Sequence, residues 1–269
     1  VVVGLAAAID ATIQLVRAVS RWVRPLVVLA SVIVVAGACW TLGVAVAATN
    51  VPPTTVGDST PAGLGLTYSD VTFPSADGVT LSGWYIPSEN GAAVALLHGA
   101  GSTRSAVLDH AVVLAEHGYG VLLYDARGHG RSDGRAMDFG WFGDQDVAGA
   151  VVFLADQNGV DAARIGIVGM SMGGEQAIGA AASIPTIRAV VAEGATTRSA
   201  ADKAWLSDVY GIRGTVSEWF ARFEYGWTDL LSAASPPISL RDAVSATAPR
   251  PVLLITAGKV ADEGHAAEY

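Results

Sequence analysis

Between Leu26 and Ala48 the chain runs for 23 residues without a charged side chain, as LVVLASVIVVAGACWTLGVAVAA. No other stretch narrows its options as much. At about 1.5 Å rise per helical residue the run crosses a hydrocarbon layer of roughly 30 Å with slack for tilt. A helix buried in a soluble core rarely stays uncharged for so long, so residues 25–48 are expected to form a transmembrane helix. Arg17, Arg21 and Arg24 precede it, and no Lys or Arg follows it until Arg104. The positive-inside rule then keeps the N-terminus cytoplasmic and places the rest of the chain outside the cytoplasm. Ala45-Val46-Ala47 looks like a small-residue cleavage site, but the run exceeds the apolar region of a signal peptide, about 7–15 residues. An uncleaved single-pass anchor is expected. Cys39, the single cysteine, excludes an internal disulfide and reads as membrane packing rather than a lipidation site, because apolar sequence continues past it.

The run also divides the composition. Of 269 residues 51% are hydrophobic and 15% charged, and the formal charge is −9. Residues 1–48 hold three arginines against one aspartate, a net +2, which leaves −11 on the remainder. An acidic body of this kind does not suit a phosphate backbone, and nucleic-acid binding is disfavoured. Residues 1–24 form a basic cytoplasmic segment whose apolar positions Ile9, Ile13, Val16, Val19 and Val23 fall near helical spacing, predicting an interfacial helix that continues into the span. Residues 49–65, rich in Pro, Gly, Thr and Ser, read as an extended tether.

From residue 66 to 269 the pattern is that of an α/β domain. TYSDVTF and VTLSGWYI alternate about the turn signal SADG, predicting an antiparallel strand pair. Uninterrupted apolar runs follow, ending at Leu97, Asp125, Gly169, Gly194 and Gly258, with helical stretches near 105–116, 144–156 and 172–183. Apolar strands alternating with helices predict a mostly parallel sheet covered on both faces. Residues 195–248 exceed a simple crossover and are expected to form a small helical cap. Its aromatics, Trp205, Trp219, Phe220, Tyr225 and Trp227, are expected mainly to pack that cap onto the core.

The chemistry concentrates in Gly169-Met170-Ser171-Met172-Gly173-Gly174, after one predicted strand and before one helix. G-x-S-x-G at a strand-to-helix turn is a nucleophile elbow, and its glycines have a steric reason: a side chain there would crowd the neighbouring strand or helix. Ser171 is the candidate nucleophile. Acyl transfer also needs donors aimed at the developing oxyanion. The backbone N–H of Met172 is one candidate, and Ala100, in His98-Gly99-Ala100-Gly101, is the other, with Gly101 as second choice.

At these residues, and at Tyr124-Asp125-Ala126-Arg127-Gly128-His129-Gly130-Arg131-Ser132, the sequence resembles the α/β-hydrolase superfamily. Within it the esterase and serine-aminopeptidase-like branch, with its membrane-anchored members, is the most similar. The resemblance implies an α/β-hydrolase fold from about Leu66 onward, structural roles for Arg127 and His129, and a triad acid shortly past the strand that ends in PVLLITAG. Asp262 is the first candidate, with Glu263 and Glu193 as alternatives. In the family the base histidine follows a further helix and strand. Of the five histidines, His98, His110, His117 and His129 precede Ser171, and His265 lies only three residues from Asp262. The resemblance thus implies a base beyond Tyr269, with the C-terminal end of the fold missing here, and the 269-residue chain is expected to hydrolyse little. The expected activity of the whole is a Ser-His-Asp hydrolase of carboxylic esters, with amides or peptides as alternative substrates and no metal or organic cofactor. The competing expectation is an inactive, membrane-tethered binding protein on the same scaffold.

Overall fold

The computed structural model describes residues 2–135 and 137–269. Two helices lead the chain, α1 (Val2–Ala18) and α2 (Arg24–Ala48). They are not one continuous helix. The break falls at residues 19–23, with Pro25 in the first turn of α2, where its missing N–H costs nothing. Ile9 and Ile13 of α1 face Val28, Val32 and Val35 of α2 across a shallow apolar cleft, so α1 folds back along α2.

Residues 49–60 carry no helix or strand, as the Pro-rich composition predicts, yet they do not hang free. The Thr54 carbonyl accepts the Gly130 N–H (2.8 Å), the Gly57 N–H donates to Ser105 Oγ (3.1 Å), and Val56 packs into the core.

Among the described residues seven strands form one sheet in the order β1-β2-β4-β3-β5-β6-β7. They are β1 (Ser69–Pro74), β2 (Thr80–Ile86), β3 (Ala93–Leu97), β4 (Gly120–Tyr124), β5 (Ile165–Met170), β6 (Ile187–Glu193) and β7 (Val252–Ile255). β1, β2 and β4 pair antiparallel, and every pair from β4 through β7 is parallel. β3 and β4 are fully buried, which is why they read as unbroken apolar runs. One face packs on α4 (Gly143–Ala155), α5 (Met172–Ser183) and α8 (Leu240–Thr247), and the other on α3 (Leu108–Glu116). The chain leaves β3 toward β4 on one side and returns to β5 on the other. The carboxyl ends of β3 and β5 therefore flank a switch point, where open α/β sheets form their sites.

The segment expected as a cap divides in two. A short helical turn at 200–203, α6 (Leu206–Tyr210) and α7 (Ile212–Leu231) form the cap proper, whereas α8 packs on α5 as part of the body. Nor do the cap aromatics act together. Trp205 and Tyr225 are buried, Trp219 is exposed, and Phe220 and Trp227 turn toward α2. At the far edge, β7 pairs only with β6, leaving Leu253, Leu254 and Ile255 exposed. α9 (Ala261–Glu268) follows it.

Candidate active site

Ser171 joins β5 to α5 with φ 52° and ψ −123°, a conformation that a residue bearing a Cβ rarely adopts. Such outliers persist where their surroundings over-determine them, and here they do. The Ser171 N–H is held by the Glu193 carbonyl at 2.6 Å, and its carbonyl accepts from Gly174 (2.8 Å) and Glu175 (3.2 Å). A Cβ at Gly169 would lie 2.2 Å from the Gly173 carbonyl oxygen, and one at Gly173 would lie 2.6 Å from that of Leu97. Only glycine lets α5 start this close to the ends of β3 and β5. Gly99 completes the approach, since a Cβ there would stand 3.3 Å from Ser171 Cβ.

Two histidines organise the loops around this turn. His98 is buried between the loops after β3 and β4. Its Nε2 lies 3.0 Å from the Ala126 N–H, which can only donate, so Nδ1 carries the proton and donates to the Gly99 carbonyl at 2.7 Å. Burial drives its pKa down to about 4, which keeps the ring neutral. His129 Nε2 accepts the Gly101 N–H at 3.3 Å, engaging the second-choice oxyanion donor. Among the described residues, no hydrogen bond occupies the N–H of Ala100 or of Met172.

The Asp125–Ser132 segment is likewise structural. Asp125 accepts the backbone N–H groups of Arg104 and Arg131, each at 2.9 Å. A Cβ at Gly130 (φ 54°) would fall 2.0 Å from Asp125 Oδ2. Arg127 forks onto Asp77 (2.8 and 2.7 Å) and also bonds Asp146 (2.9 and 2.7 Å). The guanidinium holds the Asp77 carboxyl down at about 2.

A cavity of about 190 Å³ opens on Ser171 and Met172, bounded by Phe139, Glu175, Thr197, Lys203, Glu224 and Tyr225. Glu175 is the main residue that sequence reasoning missed. It sits four residues after Ser171, hence on the same face of α5, and that spacing was the available signal. Its Oε1 accepts the N–H groups of Thr196 (3.1 Å) and Thr197 (2.8 Å), fixing the loop after β6. Burial outweighs those bonds and raises its pKa to about 7. Phe139, at φ 55°, tilts against Tyr225 with ring centroids 5.1 Å apart.

The candidate acids lie apart from this cavity. Asp262 is exposed in the first turn of α9, its Oδ1 accepting the Tyr210 hydroxyl at 2.6 Å. Glu263 accepts the Ala257 N–H at 2.7 Å and closes the turn after β7. Glu193 Oε2 lies 3.3 Å from His110 Nε2 on α3. His265 packs its ring 5.5 Å from Trp205, and no histidine is among the residues lining the Ser171 cavity.

A thiohydrolase of Aspergillus aculeatus is 36% identical over 129 residues, 46% of this chain and 41% of that protein. An uncharacterized protein of Mycobacterium tuberculosis is 38% identical over 119 residues, 43% of this chain and 42% of its own length. The matched part thus spans about two fifths of these curated relatives. Among solved structures, an esterase of Pyrococcus furiosus superposes with a TM-score of 0.61 at 26% identity, covering 82% of this chain and 83% of that one. The family described as serine aminopeptidase S33 matches residues 88–243, more than half of the sequence. The chain belongs to that family of hydrolases and has the α/β-hydrolase fold.

Proposed function

We propose that this protein is a membrane-anchored serine hydrolase that cleaves carboxylic esters through Ser171. The carrying observation is the conformation of Ser171, raised on a glycine-tight turn at the head of α5 and open to a cavity. Its Oγ attacks the acyl carbon, and the N–H groups of Met172 and Ala100 receive the oxyanion. A histidine takes the hydroxyl proton and returns it to the departing alcohol, and water then releases the acyl group by the same route. Similar proteins named a thiohydrolase and an esterase fit acyl transfer to serine.

We assign the orienting acid to Asp262. Glu263 is engaged by the Ala257 N–H and Glu193 faces His110, whereas among the described residues Asp262 is held only by the hydroxyl of Tyr210. Among the described residues no histidine lines the Ser171 cavity. α2 spans the membrane with the N-terminus cytoplasmic and the hydrolase body outside. Its exposed apolar surface supports that placement. The expected partners are a small acyl substrate and the lipid around α2, with no nucleic acid.

Hydrolysis of p-nitrophenyl esters of graded chain length by the protein tests the reading and gives its acyl preference. Ser171→Ala is expected to lower the rate by at least about a thousandfold. Unchanged hydrolysis by that variant overturns the nucleophile.

A further inference from the structure

The cap helix α7 has two faces of opposite character. Gly214, Glu218, Ala221, Tyr225 and Thr228 turn inward, and Glu224 and Tyr225 bound the Ser171 cavity. Ile212, Val216, Trp219, Phe223 and Leu230 are exposed, Ile212 by 86% and Leu230 by 75%. Their spacing places them on a single line along the helix, one without a charged residue. Apolar side chains scattered singly need no explanation, but an aligned row on one helix marks a contact surface.

What covers this row follows from its neighbour. α7 packs along α2, with Phe220 Cζ 3.5 Å from where a Cβ on Gly37 would sit. Trp227 Nε1–H donates to Thr41 Oγ1 at 3.2 Å. Thr41 and Ala45, four residues apart, are the buried side of α2, and Thr49 just past its end continues it. Gly37 lies eleven residues before the end of α2 at Ala48, about 16 Å along the helix and roughly half of a hydrocarbon layer. A helix that touches α2 at that depth shares its solvent.

We propose that the exposed row of α7 is a second membrane-contacting surface, seated in the phospholipid bilayer beside α2. The cap of the Ser171 cavity then meets lipid on one face and substrate on the other. The proposal rests on the reading of α2 as a membrane span, and its test separates the two. The full chain, in a Cys39→Ala background, is given single cysteines at Val34, Val216, Phe223 or Val152, labelled with an environment-sensitive fluorophore and reconstituted into phosphatidylcholine vesicles. Val34 is exposed on α2, and Val152 is exposed on α4 in the body. Leu230→Cys serves as a further probe of the row if either α7 variant misfolds. Labels at Val34, Val216 and Phe223 are expected to lose most of their emission to doxyl-labelled lipid and resist aqueous iodide, while Val152 does the reverse. If Val216 and Phe223 behave like Val152, the proposal is overturned, and lipid quenching at Val34 in that case leaves the anchor standing. Iodide access at Val34 refutes the anchor and, with it, the proposal that rests on it.

Discussion

The two ends of the candidate site are built differently. Around Ser171, the loops after β3, β4 and β5 lock onto one another through His98, His129, Asp125 and Arg127, and several glycines have no room for a methyl group. At the β7–α9 end, Asp262 is exposed, held by the hydroxyl of Tyr210, and Leu253, Leu254 and Ile255 of β7 lie exposed. The candidate nucleophile Ser171 and the candidate donors Ala100 and Met172 thus stand on backbone locked by close glycine contacts and by the side chains that tie the loops together, whereas the candidate acid Asp262 stands on an exposed helix end with a hydroxyl partner.

The sharpest way to break the contrast is through Arg127. Removing its guanidinium by Arg127→Met strands buried Asp146 beside Asp77, and a loss of about 3–5 kcal/mol is expected by denaturant unfolding. A loss below about 1 kcal/mol would mean that this end is no more tightly built than the other.

Next in size is a pair of opposed pH effects. The pKa of Glu175 is raised to about 7 from 4.5, so its protonated form is favoured by folding. Its contribution is full below pH 4.5 and fades as pH rises through 7. His98 is lowered from 6.5 to about 4, so its contribution is present above pH 6.5 and fades as pH falls through 4. Each amounts to at most about 3 kcal/mol, and across pH 4.5–6.5 they offset one another. Glu175→Gln keeps an acceptor for Thr196 and Thr197 while removing one titration. Its thermal stability is therefore expected to rise with pH over that window more steeply than the parent's. Parallel profiles would remove Glu175 from the account.

A smaller, paired test uses glycines. Gly173→Ala pushes a methyl group against the end of β3 and should cost about 1–3 kcal/mol. Gly258→Ala, past β7, meets nothing within 4 Å and should stay within about 0.5 kcal/mol of the parent. Equal costs in chemical denaturation would erase the distinction between the two ends.

The same contrast explains what could be read from sequence. Strands buried on both faces appear as unbroken apolar runs, and a turn without space for side chains appears as Gly169, Gly173 and Gly174, so the fold and the tight turn at Ser171 were legible. Glu175 was legible only through its spacing from Ser171, because its burial depends on the loop at Thr196 and Thr197. The docking of residues 54–57, the division of the cap and the contact of Trp227 with Thr41 were not legible. Each joins segments distant in sequence through side chains whose local pattern fits a free loop or an ordinary core helix. Aromatics at helical spacing signal burial, but not whether protein or lipid supplies it.

The most direct measurement is fluorophosphonate labelling of the protein read by peptide mass spectrometry, with Ser171→Ala beside the parent. The account predicts that the adduct forms on Ser171 and is lost in the variant. An adduct at another residue, or undiminished labelling of Ser171→Ala, would contradict it.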